Sequence, residues 1–426
     1  RIDYAPIAGK FVNTATAHNY SLSGEWRQRS GSQLKWNLAY RRLEGGDTSS
    51  FQNSPSQTLL GRIEHRITML RGFIRSSVLY DISSGQEQKV EFIHRPVQPG
   101  EQGTHLWEDR NGDGQIQFDE IELPPFPGAA NVIRITQYTE DFIRTENSKI
   151  NALLRLDPSA LIRETDGLEG FLRKWSAQMT MGIDKKTRPG FGVRTWDPLQ
   201  LAIPDSSLIA LTSTLRVDLF LNRGNASFDM QFSWVDMRNR LVLTSGYDSR
   251  RQTEQSVRLR TALAPGWIAI GKVSALLQEN DSEFFSARDY LIRSIHCQPE
   301  IQWQPAATFR TSIAFIAKYG KNTLQQEFGE SARQYELRLG ATVNQTAKTS
   351  ISASVGLVQV QYQGLPNTPV SFALMNGLQN GRNYLWNLQI DRRLDNNVQL
   401  NVTYEGRQTG LAPLIHIGRV EVRAAF

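Results

Sequence analysis

The feature that most constrains this chain is a strict alternation of apolar and polar residues, sustained over long segments. At 226–234 (ASFDMQFSW), Ala226, Phe228, Met230, Phe232 and Trp234 share one face, and Ser227, Asp229, Gln231 and Ser233 the other. Segments 215–222, 333–346, 383–394 and 397–406 repeat the pattern. A period of two is that of a β-strand, because successive side chains leave a pleated backbone on opposite sides. The chain therefore reads as all-β and antiparallel.

Alternation fits a soluble sandwich with its apolar face inward, and equally a membrane barrel with that face outward. Three features select the barrel. Many segments run about 11–15 residues against the five or six usual in soluble sheets, and about 9–11 suffice to cross a bilayer at a tilt. Tight turns near Pro305, Lys348 and Asn396 alternate with longer connections at 320–332, 363–382 and 407–414. The last strand, LIHIGRVEVRAAF, is amphipathic and ends on Phe426.

Composition does not oppose this reading. A mean hydropathy of −0.41 is polar for a helical membrane protein, but a spanning strand shows lipid only every second residue. No run of 18 apolar residues exists, so a spanning helix is excluded. The net charge of +6 is dispersed singly along strands (Arg216, Arg258, Arg260, Arg338, Arg419, Arg423), which argues against a nucleic-acid surface. The single cysteine, Cys297, cannot form an internal disulfide. The opening RIDYAPIAGK has no initiating Met and no apolar leader, and reads as the C-terminal part of a longer chain.

The expected architecture is a transmembrane β-barrel of 12–14 or more strands over 146–426, best supported at 207–426. Twelve strands are expected there, including separate ones at 226–236 and 239–249. Two more at 149–157 and 168–183 would make 184–206 a long periplasmic link. Residues 1–145 are more polar, with strand-like segments at 18–28, 33–43, 57–66, 71–82, 88–97 and 132–142. They are expected to form a β-rich accessory region, with further barrel strands as the alternative.

One motif carries chemistry. Residues 109–120, DRNGDGQIQFDE, match the calcium-loop pattern D-x-[DN]-x-[DN]-G-x5-E throughout. Asp109, Asn111 and Asp113 offer hard oxygens at loop positions one, three and five, and Gly114 allows the sharp turn. Gln115 would give its backbone carbonyl, Gln117 could act through water, and Glu120 stands where a bidentate carboxylate is needed. No helices flank the loop, so Ca2+ is expected to brace it structurally. The six histidines are scattered, no G-x-S-x-G, H-E-x-x-H or phosphate loop occurs, and no catalytic residues are assigned.

The terminal strand, the alternating strands and the acidic glycine loop together resemble large outer-membrane proteins of the Bacteroidota. The resemblance covers the calcium loop and the last third of the chain. It implies a bacterial outer-membrane location, contact with outer-membrane lipid and protein partners in an envelope complex, without transferable catalytic residues. The chain lacks a recognisable plug domain. The expected function is a non-enzymatic transport, secretion or assembly barrel, with Arg216, Asp218, Glu336, Arg338 and Asp391 lining the lumen. The competing expectation is a soluble extracellular calcium-stabilised β-protein that binds carbohydrate or protein.

Overall fold

The computed structural model describes residues 2–424 apart from 8–9, 29–30, 46–55, 98–102, 111, 118–119, 123–129, 165, 190–193, 202, 204–206, 244–245, 284–287, 325–328, 346–347 and 396–397. Phe426 lies outside the described residues, as does Asn111. The first half contains β1 (Ile2–Ile7), β2 (Lys10–Arg27), β3 (Gln33–Gly45), β4 (Ser56–Met69), β5 (Ile74–Pro96), β6 (Leu106–Trp107), β7 (Ile121–Glu122), β8 (Val132–Leu156), α1 (Gly167–Arg173) and β9 (Trp175–Thr187). The second contains β10 (Leu208–Leu221), β11 (Phe228–Leu243), β12 (Gly246–Ala264), β13 (Trp267–Ser282), β14 (Tyr290–Ala306), β15 (Phe309–Asn322), β16 (Ser331–Gln345), β17 (Thr349–Gln363), α2 (Pro369–Met375), β18 (Gly381–Asp395), β19 (Val398–Thr409) and β20 (Ile415–Ala424).

Among the described residues, eighteen strands form one sheet, and β6 and β7 stand apart as a small hairpin. Every described ladder is antiparallel and joins sheet strands that follow one another in the chain, from β1–β2 through β5–β8 to β19–β20. Such a meander needs only local hairpins. A ladder between β20 and the β1–β2 edge is not among the described pairings.

The register sorts side chains into two faces. Along the chain of partners Val257, Val273, Cys297, Ala317, Tyr335 and Gln359, one face carries Ile295, Ile301, Ile313, Leu337, Leu339, Val355 and Leu357. These residues are exposed: Ile295 by 60%, Val273 by 52% and Leu339 by 50%. A soluble protein rarely leaves apolar patches above a few hundred Å² open to water, and here the apolar face of strand after strand is open. The soluble alternative is not supported, because that fold would bury this face. Glycines on it admit facing indoles: a Cβ on Gly24 would overlap Trp36, and one on Gly406 would overlap Trp386. Trp267, Trp303 and Phe309 pack together beside the tight turns, and Tyr319, Tyr335 and Tyr384 line the opposite end. Two aromatic girdles flanking an apolar band are what a strand wall needs where hydrocarbon gives way to headgroups. The chain is an all-β antiparallel transmembrane β-barrel.

Two sequence expectations change. The residues expected as three strands, at 226–236, 239–249 and 251–263, form two, β11 and β12. The polar run DMRNR at 236–240 looks like a turn, but it pairs throughout with β10 and β12. Removing one strand reverses the side of every connection before it. Residues 188–207 therefore lie on the same rim as the connections at 323–330, 364–380 and 410–414, not on the tight-turn rim. The accessory region expected over 1–145 also differs: β1 to β5 belong to the main sheet, and the boundary at 145 falls inside β8. Its strands looked too polar because their outward residues are mixed (Tyr20, Leu22, Trp36, Leu38, Ile63, with His18 and His65 between).

What does stand apart is an arm. β5 pairs with β4 only over 74–83, and β8 with β9 only over 146–156, yet β5 and β8 continue to pair as far as Pro96 and Val132. The two-stranded extension rises roughly 40 Å at about 3.3 Å per residue. The calcium-loop segment is its tip.

Candidate functional site in the barrel lumen

The inward face carries the polar partners. Asp218, 4% exposed, accepts from Arg216 at 2.7 Å, Ser233 Oγ at 2.5 Å and Gln231 Nε2 at 3.0 Å. Lys272 pairs with Glu254 at 2.9 Å, and Arg258 and Arg260 both reach Asp229. Arg338 pairs with Glu336 at 2.6 Å, and Asp391 accepts from Gln389 and Asn401. All five residues expected to line the lumen lie on this face, each engaged with a cross-strand or i, i+2 neighbour. Such pairs satisfy charges that a narrow wall holds close together.

Ile292, Ala332, Val358 and Val360 break this polarity: they are apolar yet occupy inward register positions. Their cover is the connection 364–380, which folds inward. Its α2 is short and well delimited. Thr368 Oγ1 accepts from Ser371 N while Ser371 Oγ accepts from Thr368 N, Pro369 starts the first turn, and Asn376 ends it in a left-handed conformation. Val370 and Leu374 pack on Ile292 and Ala332, and Met375 packs on Val358 and Val360. Gln334, 5% exposed, donates to Leu374 O at 3.0 Å and so ties the helix end to β16. Facing the folded-in loop is a cavity of about 1340 Å³, whose far wall is Asp248, Arg250, Gln278, Asn280 and Tyr290.

The arm reaches back to the rim at β12 and β13. Arg134 on β8 pairs with Glu283, beyond the end of β13, at 3.0 Å, and the same carboxylate accepts from Tyr247 N at 3.0 Å. Arg134 also stacks on Phe92, 4.1 Å from its ring centre. Beside it, His94 and His105 meet edge to face at 5.0 Å between ring centres. Burial first, then His94 and Arg134, pushes His105 down to about 4; burial and then Arg134 push His94 down as well. The arm thus uses neutral imidazoles as packing beside a fixed guanidinium. Sequence spacing could not pair two histidines that lie on separate segments near the arm's far end.

At the arm tip, Asp109 accepts from Gly112 N at 2.7 Å and Gly114 N at 2.9 Å, and Asp113 accepts from Gln115 N at 2.7 Å. Both glycines have positive φ, 74° and 70°, which the sharp turn requires. Glu120, 2% exposed, is held by Trp107 Nε1 and Arg110 N, each at 3.0 Å. Asp109 and Asp113 thus organise the turn through backbone N–H groups. Glu120 is directed toward Trp107. Among the described residues, no three His, Cys, Asp or Glu side chains converge as a metal site.

Of the site residues read from sequence, the lumen set is brought to one face, while Asp109, Asp113, Gln115 and Glu120 lie at the far end of the arm. The inward helix was missed. Its signals were Thr368-Pro369 at the start and Asn376-Gly377 at the end, with apolar residues at inward positions of β14, β16 and β17 to receive it.

No known protein family matches this chain by sequence, and no curated protein matches it. Among solved structures it is similar to the ferric-catecholate import receptor Fiu of E. coli K12, with 7% identity and a TM-score of 0.41, over 93% of this chain and 64% of that one. It is similar also to the ferric yersiniabactin uptake receptor FyuA of Yersinia pestis, with 9% identity and a TM-score of 0.38, over 93% and 62%. A third is OmpT, an outer membrane protein of Vibrio cholerae, with 9% identity and a TM-score of 0.28, over 82% and 87%. The chain spans less than two thirds of the length of the two receptors. The barrel assignment stands on the strand ladder and its two faces.

Proposed function

We propose that this chain is a bacterial outer-membrane barrel that passes polar solutes through a lumen narrowed by the connection 364–380, as a non-catalytic transport component of the envelope. The observation that carries this reading is the inward-folded α2, seated on apolar residues that a purely polar lumen wall would not contain. Secretion or assembly of another protein is a weaker reading, because the loop occupies the space a passing chain would use. Planar-bilayer recording tests the proposal: replacing 366–379 by a short Gly-Ser linker should raise single-channel conductance several-fold. Equal conductance with and without the loop would remove the constriction from the account.

We further propose that Asp109, Asn111, Asp113, the carbonyl of Gln115 and Glu120 hold a structural Ca2+ at the arm tip. The motif and the left-handed Gly112 and Gly114 support this. Calorimetry should give calcium heats with wild type and none with Asp113→Ala; equal heats would count against the loop.

A further inference from the structure

On the lipid-facing side, β14, β15, β16 and β18 each place one exposed cation at the long-connection rim: Arg293, Lys321, Arg333 and Arg382. The register shows that they share the outer face. Arg293 stands directly opposite Lys321, Arg333 opposite Tyr319, and Arg382 opposite Gln359, which is itself opposite Tyr335. Two like charges facing each other across a strand pair destabilise the sheet, and elsewhere in this barrel arginines stand beside carboxylates. Among the described residues none of these four cations has a carboxylate within ion-pair distance. The patch ends on its β13 side at Glu279, opposite Arg251.

Immediately inside the cations, toward the apolar band, stand Tyr319, Tyr335 and Tyr384, exposed by 44%, 42% and 39%. Arg333 lies over the Tyr319 ring at 5.8 Å. Next come Ile295, Ile313, Phe315 and Leu337, facing outward. Apolar wall, tyrosine belt and unpaired cations follow one another in the order in which a lipid presents acyl chain, ester region and phosphate. We propose that this rim patch binds the phosphate-bearing headgroup of an anionic membrane lipid, with Arg293, Lys321 and Arg333 on the phosphate and the tyrosine belt on the glycerol and acyl region. The lipid charge would also relieve the Arg293–Lys321 repulsion. The inference rests on the barrel fold alone and is independent of transport through the lumen.

The test is native mass spectrometry of the barrel taken from vesicles of phosphatidylethanolamine containing either phosphatidylglycerol or phosphatidylcholine. Wild type should retain phosphatidylglycerol preferentially. The Arg293→Gln/Lys321→Gln/Arg333→Gln variant should lose that preference, on the order of tenfold. Arg310→Gln, an inward charge near the tight turns, should keep it. A heat-modifiable gel band shows that each variant is folded. Equal retention by wild type and the triple variant would overturn the proposal. So would loss of the preference on adding millimolar inorganic phosphate alone, which would mark a free-phosphate site.

Discussion

Two connections on the same rim fold in opposite directions. Residues 364–380 turn into the lumen and seat α2 on Ile292, Val358 and Val360. Residues 194–201 and Ile203 turn outward onto the lipid-side face of β8 to β10, where Ile203 packs on Ile183 and Leu211. Beneath that strap Lys185 is fully buried, donating to the carbonyls of Asp197 at 2.5 Å and Arg194 at 3.3 Å, and Tyr80 donates to Trp196 O. In both places the wall breaks its own alternation: apolar residues face the lumen under one loop, and a lysine and Ser148 face outward under the other. An exception to the two-face rule marks where a loop comes to rest, because an uncovered exception would cost free energy in either solvent.

Breaking the inward contact should have the largest effect. Leu374→Asp places a carboxylate among Ile292, Ala332 and Val370, and should release α2 and raise conductance toward that of the loop-replaced barrel. Unaltered conductance, with the fold intact, would mean that this cluster does not hold the constriction. On the outward side, Lys185→Met removes the donor to the part-buried carbonyls of Asp197 and Arg194, at about 1 kcal/mol. Faster hydrogen exchange over 194–203, with the rest of the barrel unchanged, is the expected reading; unchanged exchange would contradict the anchoring role.

The arm offers a smaller, pH-dependent contrast. His105 is held down to about 4 and His94 is also lowered, so an unfolded or detached arm takes up protons first as the pH falls. The arm's packing is fully present above the ordinary histidine value of about 6.5 and is lost progressively as the pH drops from there toward 4. Proteolytic nicking of the arm should rise over that window in wild type, and His105→Gln should flatten the response. A flat wild-type profile would show that the imidazoles do not hold the arm.

Much of the barrel was legible because one physical rule, alternation, repeats along every strand. The lumen residues Arg216, Asp218, Glu336, Arg338 and Asp391 followed from it directly. Strand boundaries were less legible where polarity mimics a turn, as at 236–240, and where strands outrun the membrane, as in β5 and β8. There both faces meet water and the alternation loses its force. The helix α2 is seven residues long, too short for a periodic signal, so only its caps announced it. The arm's contact with Glu283 depends on two segments 149 residues apart, which no local pattern encodes.

The most direct test of an apolar-out, polar-in wall uses the protein's own Cys297, which is exposed on the outward face of β14 opposite Val273 and Ala317. With a bimane on Cys297 and the barrel in vesicles, nitroxide-labelled lipid should quench the probe strongly and aqueous iodide weakly. A probe one residue away, at His296→Cys in a Cys297→Ser background, should reverse that order. Strong iodide quenching at Cys297, with no effect of the nitroxide lipid, would contradict the barrel.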